Sequence, residues 1–111
     1  MNDFKPKILI VDDQDYNIHA TCIKLKYGVK ISPDYEIVKA YNGHEALDKI
    51  IKDVRSQNMT GCSYQLILMD CNMPFMDGYQ STIKIHQYLY DFNITQPIVV
   101  AITGNTEQQY M

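Results

Sequence analysis

Two apolar runs in this chain end directly in carboxylates. "KILIVDD" (7–13) closes on Asp12 and Asp13, and "YQLILMD" (64–70) closes on Asp70. Continuous apolar runs of this length are typical of strands that are covered on both faces of a parallel sheet. The carboxyl ends of such strands lie at one edge of the sheet, where ligands bind. If the two strands are neighbours, the three carboxylates converge.

Three carboxylates gathered with little water are costly unless a cation neutralises them. Hard oxygen ligands with room for water favour Mg²⁺ or Mn²⁺. A third apolar run, "PIVVAITG" (97–104), brings the hydroxyl of Thr103 to the same edge. A divalent ion screens the repulsion between a carboxylate and an incoming phosphate, so that the carboxylate can act as a nucleophile. The pattern therefore predicts a site that handles a phosphoryl group.

The size and charge of the chain exclude several classes of function. Its 111 residues are enough for one domain, and 46% of them are hydrophobic, which is ordinary for a globular core. The net charge is −3 and the basic residues are scattered, so nothing predicts a nucleic-acid surface. No apolar run approaches a membrane span, and the start "MNDFKPK" is too polar for a signal peptide.

The cysteines indicate the compartment. Cys22, Cys62 and Cys71 make an odd count without a CxxC pair. This usage argues for a reducing environment and against a disulfide framework or a zinc site. We therefore expect a cytoplasmic location.

The elements that must position the acids alternate along the chain. A fourth strand pattern, "YEIVKA" (35–40), has the alternation of a strand near a sheet edge. Helices are predicted by three apolar stripes: Ile18, Cys22, Leu25 and Val29 after a cap at Asp15; Leu47, Ile50, Ile51 and Val54 after a start at Asn42 or Gly43; and Ser81, Ile85 and Leu89 from Gly78. The order β-α-β-α-β-α-β predicts an α/β fold, a parallel sheet with helices on both faces.

Other residues of chemical interest have plainer interpretations. His19, His44 and His86 lie on helix patterns away from the strand ends, where surface or packing roles are the expectation. Met69, Met73 and Met76 fit core and loop packing better than a metal site. A single acid after a strand would also be better explained as a helix cap, but the pairing of Asp12 and Asp13 with Asp70 on another buried strand disfavours that reading.

Three segments together carry a family resemblance. "ILIVDD", "LILMDCNMPFMDG" and "IVVAITG" resemble the receiver domain of two-component response regulators, over essentially the whole chain. The segment "MDCNMPFMDGY" is similar to the corresponding segment of receivers attached to hybrid histidine kinases. The resemblance implies a flavodoxin-like, CheY-like doubly wound parallel sheet that spans residues 1–111.

The resemblance also implies a role for each matching residue. Asp70 would be the phosphoacceptor, taking a phosphoryl group from a phosphohistidine. Asp12 and Asp13 would hold Mg²⁺, directly or through water, together with Asp70 and the backbone carbonyl of Asn72. Thr103 would be the hydroxyl that moves toward the phosphoryl oxygens and switches a binding surface. The implied partners are a histidine kinase or a histidine phosphotransfer domain, with a kinase core possible in the same parent polypeptide. Neither nucleic acid nor membrane contact is expected of this segment.

The end of the sequence departs from the family pattern. Receivers have a fifth strand that ends in a lysine, and then a final helix, whereas this sequence stops at "NTEQQYM". No lysine follows Thr103, and residues 106–109 match a capping box for a helix that has no room to form. We therefore expect a receiver with strand order 2-1-3-4 that is truncated before the fifth strand.

Two other functions remain open at this point. A haloacid-dehalogenase-type phosphohydrolase also uses an aspartyl nucleophile after a strand, but it places an acid two residues later. That position is Asn72, which cannot act as a general acid. A pseudo-receiver that only binds a partner usually lacks part of the acidic cluster, whereas all three acids are present here.

Overall fold

The computed structural model describes residues 5–71 and 78–102 of the chain. Within them, strands and helices alternate as the sequence predicts. The elements are β1 (Lys7–Val11), α1 (Asp15–Ile23) continued by a π-helix (Lys24–Val29), β2 (Glu36–Ala40), α2 (Gly43–Ser56), β3 (Tyr64–Asp70), α3 (Gly78–Asp91) and β4 (Ile98–Ile102). Among the described residues, no helix is long and apolar enough to cross a membrane.

The four strands form one parallel sheet in the order β2-β1-β3-β4. Val11 of β1 lies opposite Met69 of β3, and Asp70 lies opposite Ile102 of β4. The carboxyl ends of β1, β3 and β4 therefore meet at one edge of the sheet. The predicted α/β architecture and the predicted order 2-1-3-4 are confirmed.

Helices cover the sheet on both faces, which explains the continuous apolar runs. Side chains of a strand point alternately to opposite faces. One face of the sheet packs against α2 and α3, and the other packs against α1 and the π-helix. The first core includes Leu9, Val11, Ile50, Val54, Ile67, Met69, Ile85 and Leu89; the second includes Ile8, Ile10, Ile18 and Leu25.

Two details of the first helix differ from the prediction. Val29 was expected in the buried stripe, but its side chain is 69% exposed. The π-helix is the reason, since its wider turn rotates the following residues out of the 3.6-residue phase. Ile31, in place of Val29, packs against the second core, which lies between the sheet and α1.

The cap predicted at Asp15 is also wrong. The N-cap position is Gln14, which makes no side-chain capping bond, and Asp15 is the first helical residue. The carboxylate of Asp15 accepts a hydrogen bond from the hydroxyl of Tyr41 at 2.9 Å. In contrast, the predicted start of α2 is confirmed, because Asn42 accepts the backbone N–H of Glu45.

Candidate metal centre at the carboxyl ends of the strands

The structure brings Asp12, Asp13 and Asp70 together. One carboxylate oxygen from each residue lies within 4.8 Å of the other two. Asp12 and Asp70 are 8% and 7% exposed, and Asp13 is half-buried. Like charges this close and this poorly hydrated repel each other strongly, so the cluster favours a compensating cation.

Asp12 is held by the two elements on either side of it. Its backbone N–H donates to the carbonyl oxygen of Ala40 at the end of β2, at 3.1 Å. Its Oδ1 accepts the backbone N–H of Gln14 at 2.9 Å and the side-chain amide of Asn17 at 3.4 Å. These bonds fix the direction of the carboxylate before any ligand arrives. The sequence interpretation missed Asn17, although its place one turn into the helix after the acids is a usable signal.

Asp70 is the last residue of β3, between β1 and β4. The backbone N–H of the next residue, Cys71, donates to the carbonyl oxygen of Ile102 at 3.1 Å. The strand pairing thus continues past the acid on the β4 side. This pairing fixes the backbone at Asp70 on the side of β4.

The start of α3 packs directly on the end of β3. A β-carbon placed on Gly78 would collide with the carbonyl oxygen of Asp70, and it would lie 2.9 Å from the Cα of Cys71 and from the Cγ of Met69. Real side chains do not approach so closely. Gly78 is therefore required by the contact between α3 and the backbone of Asp70, rather than by backbone flexibility.

The set of donor atoms fits a small hard divalent cation. Three carboxylates supply negative oxygen ligands, and the half-exposed side of Asp13 leaves access for water. Mg²⁺ has this preference, because it binds to a few carboxylates and retains several waters. Thiolate and imidazole, which softer metals favour, are absent from the cluster within the described residues.

Comparison with known proteins identifies the family. The model of the response regulator receiver domain matches residues 8–111. This chain belongs to the receiver domain family. It is a receiver domain of the two-component phosphorelay type, as its sequence segments indicated.

Similar proteins include hybrid kinases. The receiver domain is 37% identical over 98 residues to two-component system protein A of Emericella nidulans, covering 88% of this chain and 12% of that protein. It is 31% identical over 99 residues to hybrid signal transduction histidine kinase L of Dictyostelium discoideum, covering 89% of this chain and 5% of the kinase. The receiver domain thus spans only a small part of the curated relatives it matches.

A solved receiver supports the same fold. The receiver domain of the histidine kinase CKI1 from Arabidopsis thaliana, crystallised in complex with Mg²⁺, superimposes with a TM-score of 0.75 and is 25% identical. The alignment covers 99% of this chain and 83% of that one.

Two predicted site residues of the receiver domain, Asn72 and Thr103, lie outside the described residues. The three histidines, His19, His44 and His86, are exposed on helices. Each histidine is therefore on the surface, as expected.

A polar pair lies close to the start of the first helix in the receiver domain. The hydroxyl of Tyr41, just after β2, donates to Asp15, and this hydrogen bond raises the pKa of the tyrosine. The backbone N–H of Tyr41 donates to the carboxylate of Glu45 at 2.8 Å. Tyr41 therefore connects the carboxyl end of β2 to the first turns of α1 and α2.

A further buried acid lies at the opposite end of the sheet. Asp53 on α2 accepts the backbone N–H of Ser63 at 2.6 Å and the side-chain amide of Gln57 at 3.3 Å. Its other oxygen lies 3.5 Å from the ammonium of Lys7. The sequence interpretation missed this residue, although its place among the apolar positions of α2, beside Val54, indicates that it faces the core.

Proposed function

We propose that Asp70 is the phosphoacceptor of this receiver domain. The supporting observation is the convergence of Asp12, Asp13 and Asp70 within 4.8 Å at the end of a central strand. A carboxylate oxygen of Asp70 attacks the phosphorus of a phosphohistidine, the P–N bond breaks, and the imidazole leaves and takes up a proton. The product is an aspartyl phosphate, which is an acyl phosphate.

Asp12, Asp13 and Asp70 would hold Mg²⁺, with the backbone carbonyl of Asn72 as a further ligand. The similar CKI1 receiver was crystallised with this ion. When bound, the ion supplies charge neutralisation between the carboxylates and the incoming phosphoryl oxygens. The hydrogen bonds from Gln14 and Asn17 orient the Asp12 carboxylate, so less reorganisation is needed when the ion binds.

The hydroxyl of Thr103 would carry the signal away from the phosphoryl group. Thr103 directly follows β4, whose last residue pairs with Asp70. A hydrogen bond from its hydroxyl to a phosphoryl oxygen would shift the segment after β4 and change the surface there. In this proposal Thr103→Ala still accepts phosphate at Asp70, but it loses the change in partner binding.

The donor would be a histidine kinase or a histidine phosphotransfer domain. The curated relatives include hybrid histidine kinases, in which a receiver shares a polypeptide with a kinase. The three cysteines are unpaired thiols, which agrees with a reducing cytoplasm. We therefore infer a cytoplasmic phosphorelay module, with a kinase core in the same parent polypeptide as one arrangement.

The test is phosphorylation by a small acyl phosphate, or by a phosphohistidine donor, in the presence of Mg²⁺. Intact-mass spectrometry should show one added phosphoryl group that is lost in hydroxylamine or base. Asp70→Asn should show none, whereas Asp34→Asn, an exposed acid in a turn, should be labelled like the wild type. Equal labelling of Asp70→Asn would refute the assignment. A folded wild-type chain that takes no label from either donor would favour a pseudo-receiver.

A further inference from the structure

The end of β2 lies beside the acidic cluster and is itself fixed in place. Ala40, the last residue of β2, is fully buried and lies opposite Val11 of β1. Its carbonyl oxygen accepts the backbone N–H of Asp12 at 3.1 Å. The next residue, Tyr41, donates its own backbone N–H to the carboxylate of Glu45 on α2 at 2.8 Å. The backbone around Tyr41 is therefore held both by the sheet and by α2.

The side chain of Tyr41 reaches from this fixed point to α1. Its hydroxyl donates to the carboxylate of Asp15, the first residue of α1, at 2.9 Å. Gln14, the N-cap residue of the same helix, makes no side-chain capping bond among the described residues. The bond from Tyr41 thus ties the first turn of α1 to the end of β2.

This contact differs from an ordinary surface hydrogen bond between two mobile side chains. The donor extends from a fixed backbone, and a tyrosine ring has only two rotatable side-chain angles, so little freedom is lost when the bond forms. The side chain of Tyr41 is 39% exposed, which means that more than half of its surface is covered. The hydroxyl is therefore presented to Asp15 from a defined position.

The first turn of α1 carries the two groups that orient Asp12. The backbone N–H of Gln14 and the side-chain amide of Asn17 both donate to the Oδ1 atom of Asp12. These two residues are also joined to each other, since the backbone N–H of Asn17 donates to the carbonyl oxygen of Gln14 at 3.1 Å. A displacement of the turn at Asp15 therefore displaces the donors that hold the Asp12 carboxylate.

We propose that Tyr41 is a positioning residue for the Mg²⁺ site of this receiver domain. Through its bond to Asp15, it holds the first turn of α1 in the place from which the donors of that turn orient Asp12. The inference rests on the proposed Mg²⁺ site and assigns to it a residue outside the acidic cluster. Loss of the groups that orient a metal ligand lowers metal affinity. Because Tyr41 acts one step further from the ion than Gln14 and Asn17 do, we expect a smaller loss.

The test is a calorimetric Mg²⁺ titration of the full 111-residue chain and its variants. Tyr41→Phe removes the hydroxyl and keeps the ring, and it should bind Mg²⁺ about threefold more weakly than the wild type. The same substitution should have no effect when Asp15 is already alanine, because the bond is then absent. The matched control is Tyr35→Phe, which removes a hydroxyl that donates to Gln65 at 2.9 Å, and it should bind Mg²⁺ as the wild type does.

A second measurement needs no metal. In EDTA, the amide of Gln14 should exchange its hydrogen faster in Tyr41→Phe than in the wild type or in Tyr35→Phe, because its bond to Asp12 opens more often. A change in overall stability alone would also speed exchange in the central strands, whereas the positioning role predicts an effect confined to the start of α1.

Three results would overturn the role of Tyr41. They are wild-type Mg²⁺ affinity in Tyr41→Phe, an equal loss from this substitution in the Asp15→Ala background, and unchanged exchange at Gln14. A wild-type chain that binds no Mg²⁺ would instead overturn the metal site itself, so the two failures are distinguishable.

Discussion

The carbonyl oxygen of Asp70 occupies the space that a β-carbon on Gly78 would need. The start of α3 is therefore seated on the backbone of the proposed phosphoacceptor. Any side chain at this position must push α3 away from β3 or displace the end of the strand.

We expect Gly78→Ala to lower the free energy of unfolding by about 1–3 kcal/mol, because the clash involves backbone atoms that cannot rotate away. Phosphorylation of Asp70 should also slow. Urea denaturation and mass spectrometry measure the two effects. The matched control is Gly28→Ala, where a β-carbon meets nothing within 4 Å. It should be neutral or stabilise by about 0.5–1 kcal/mol, as alanine does in helices. Equal effects of the two variants would contradict the steric account.

Asp13→Asn should weaken Mg²⁺ binding about tenfold or more, since one anionic ligand becomes neutral. Without Mg²⁺ the same variant should melt at a higher temperature than the wild type, because repulsion with Asp12 and Asp70 is relieved. The melting temperatures in EDTA and in Mg²⁺ test both expectations. Asp34→Asn is the control and should respond to Mg²⁺ as the wild type does. If both variants respond equally to Mg²⁺, the ion is not bound at this cluster.

Asp53→Ala should lower the free energy of unfolding by about 2–4 kcal/mol. The substitution leaves the buried N–H of Ser63 without its acceptor and Lys7 without its partner. Asp48→Ala removes an exposed ion pair with Lys52 and should cost no more than about 0.5 kcal/mol. Chemical denaturation of both variants provides the comparison. A small loss for Asp53→Ala would show that water replaces the missing carboxylate.

Alkaline pH should destabilise the fold in part through Cys62. Burial raises the pKa of its thiol from the ordinary 9.0 to about 11. The raised pKa means that the folded state retains the proton longer, so this contribution to stability is complete below pH 9.0 and is lost as pH rises toward about 11. Burial raises the pKa of Tyr64 too. Because Tyr64 is present in both the wild type and the variant Cys62→Ala, its contribution cancels when the two are compared. Cys62→Ala should therefore lose less stability than the wild type across this range, as pH-dependent urea melts can show. Parallel curves would contradict the assignment.

The sheet and the acidic cluster were accessible from sequence because their signals are local and repeated. Each buried strand is a short apolar run, and two of these runs end in acids. The strand order that the family resemblance implies then brings Asp12 and Asp70 together. The exposure of Val29 was not accessible, because a π-helix leaves no mark in the apolar spacing that precedes it. The role of Asp15 depends on Tyr41, a partner from another element. Asp53 lies on the apolar side of α2, but it was missed because an acid on a helix normally faces solvent. Its partners Ser63 and Lys7 come from outside the helix and are not visible in the local pattern.

The parallel pairing of β1 with β3 has a consequence for the order of folding. Asp12 and Asp70 are separated by about half of the chain, and their strands are joined through α1, β2 and α2. Contacts between such distant positions form late, because closing a long loop costs entropy before any contact compensates for it. During synthesis, the acidic cluster cannot assemble until β3 has emerged and docked beside β1. The ability to bind Mg²⁺ at this edge would then be acquired in one step. The onset of Mg²⁺ binding during folding would therefore report when β3 docks beside β1.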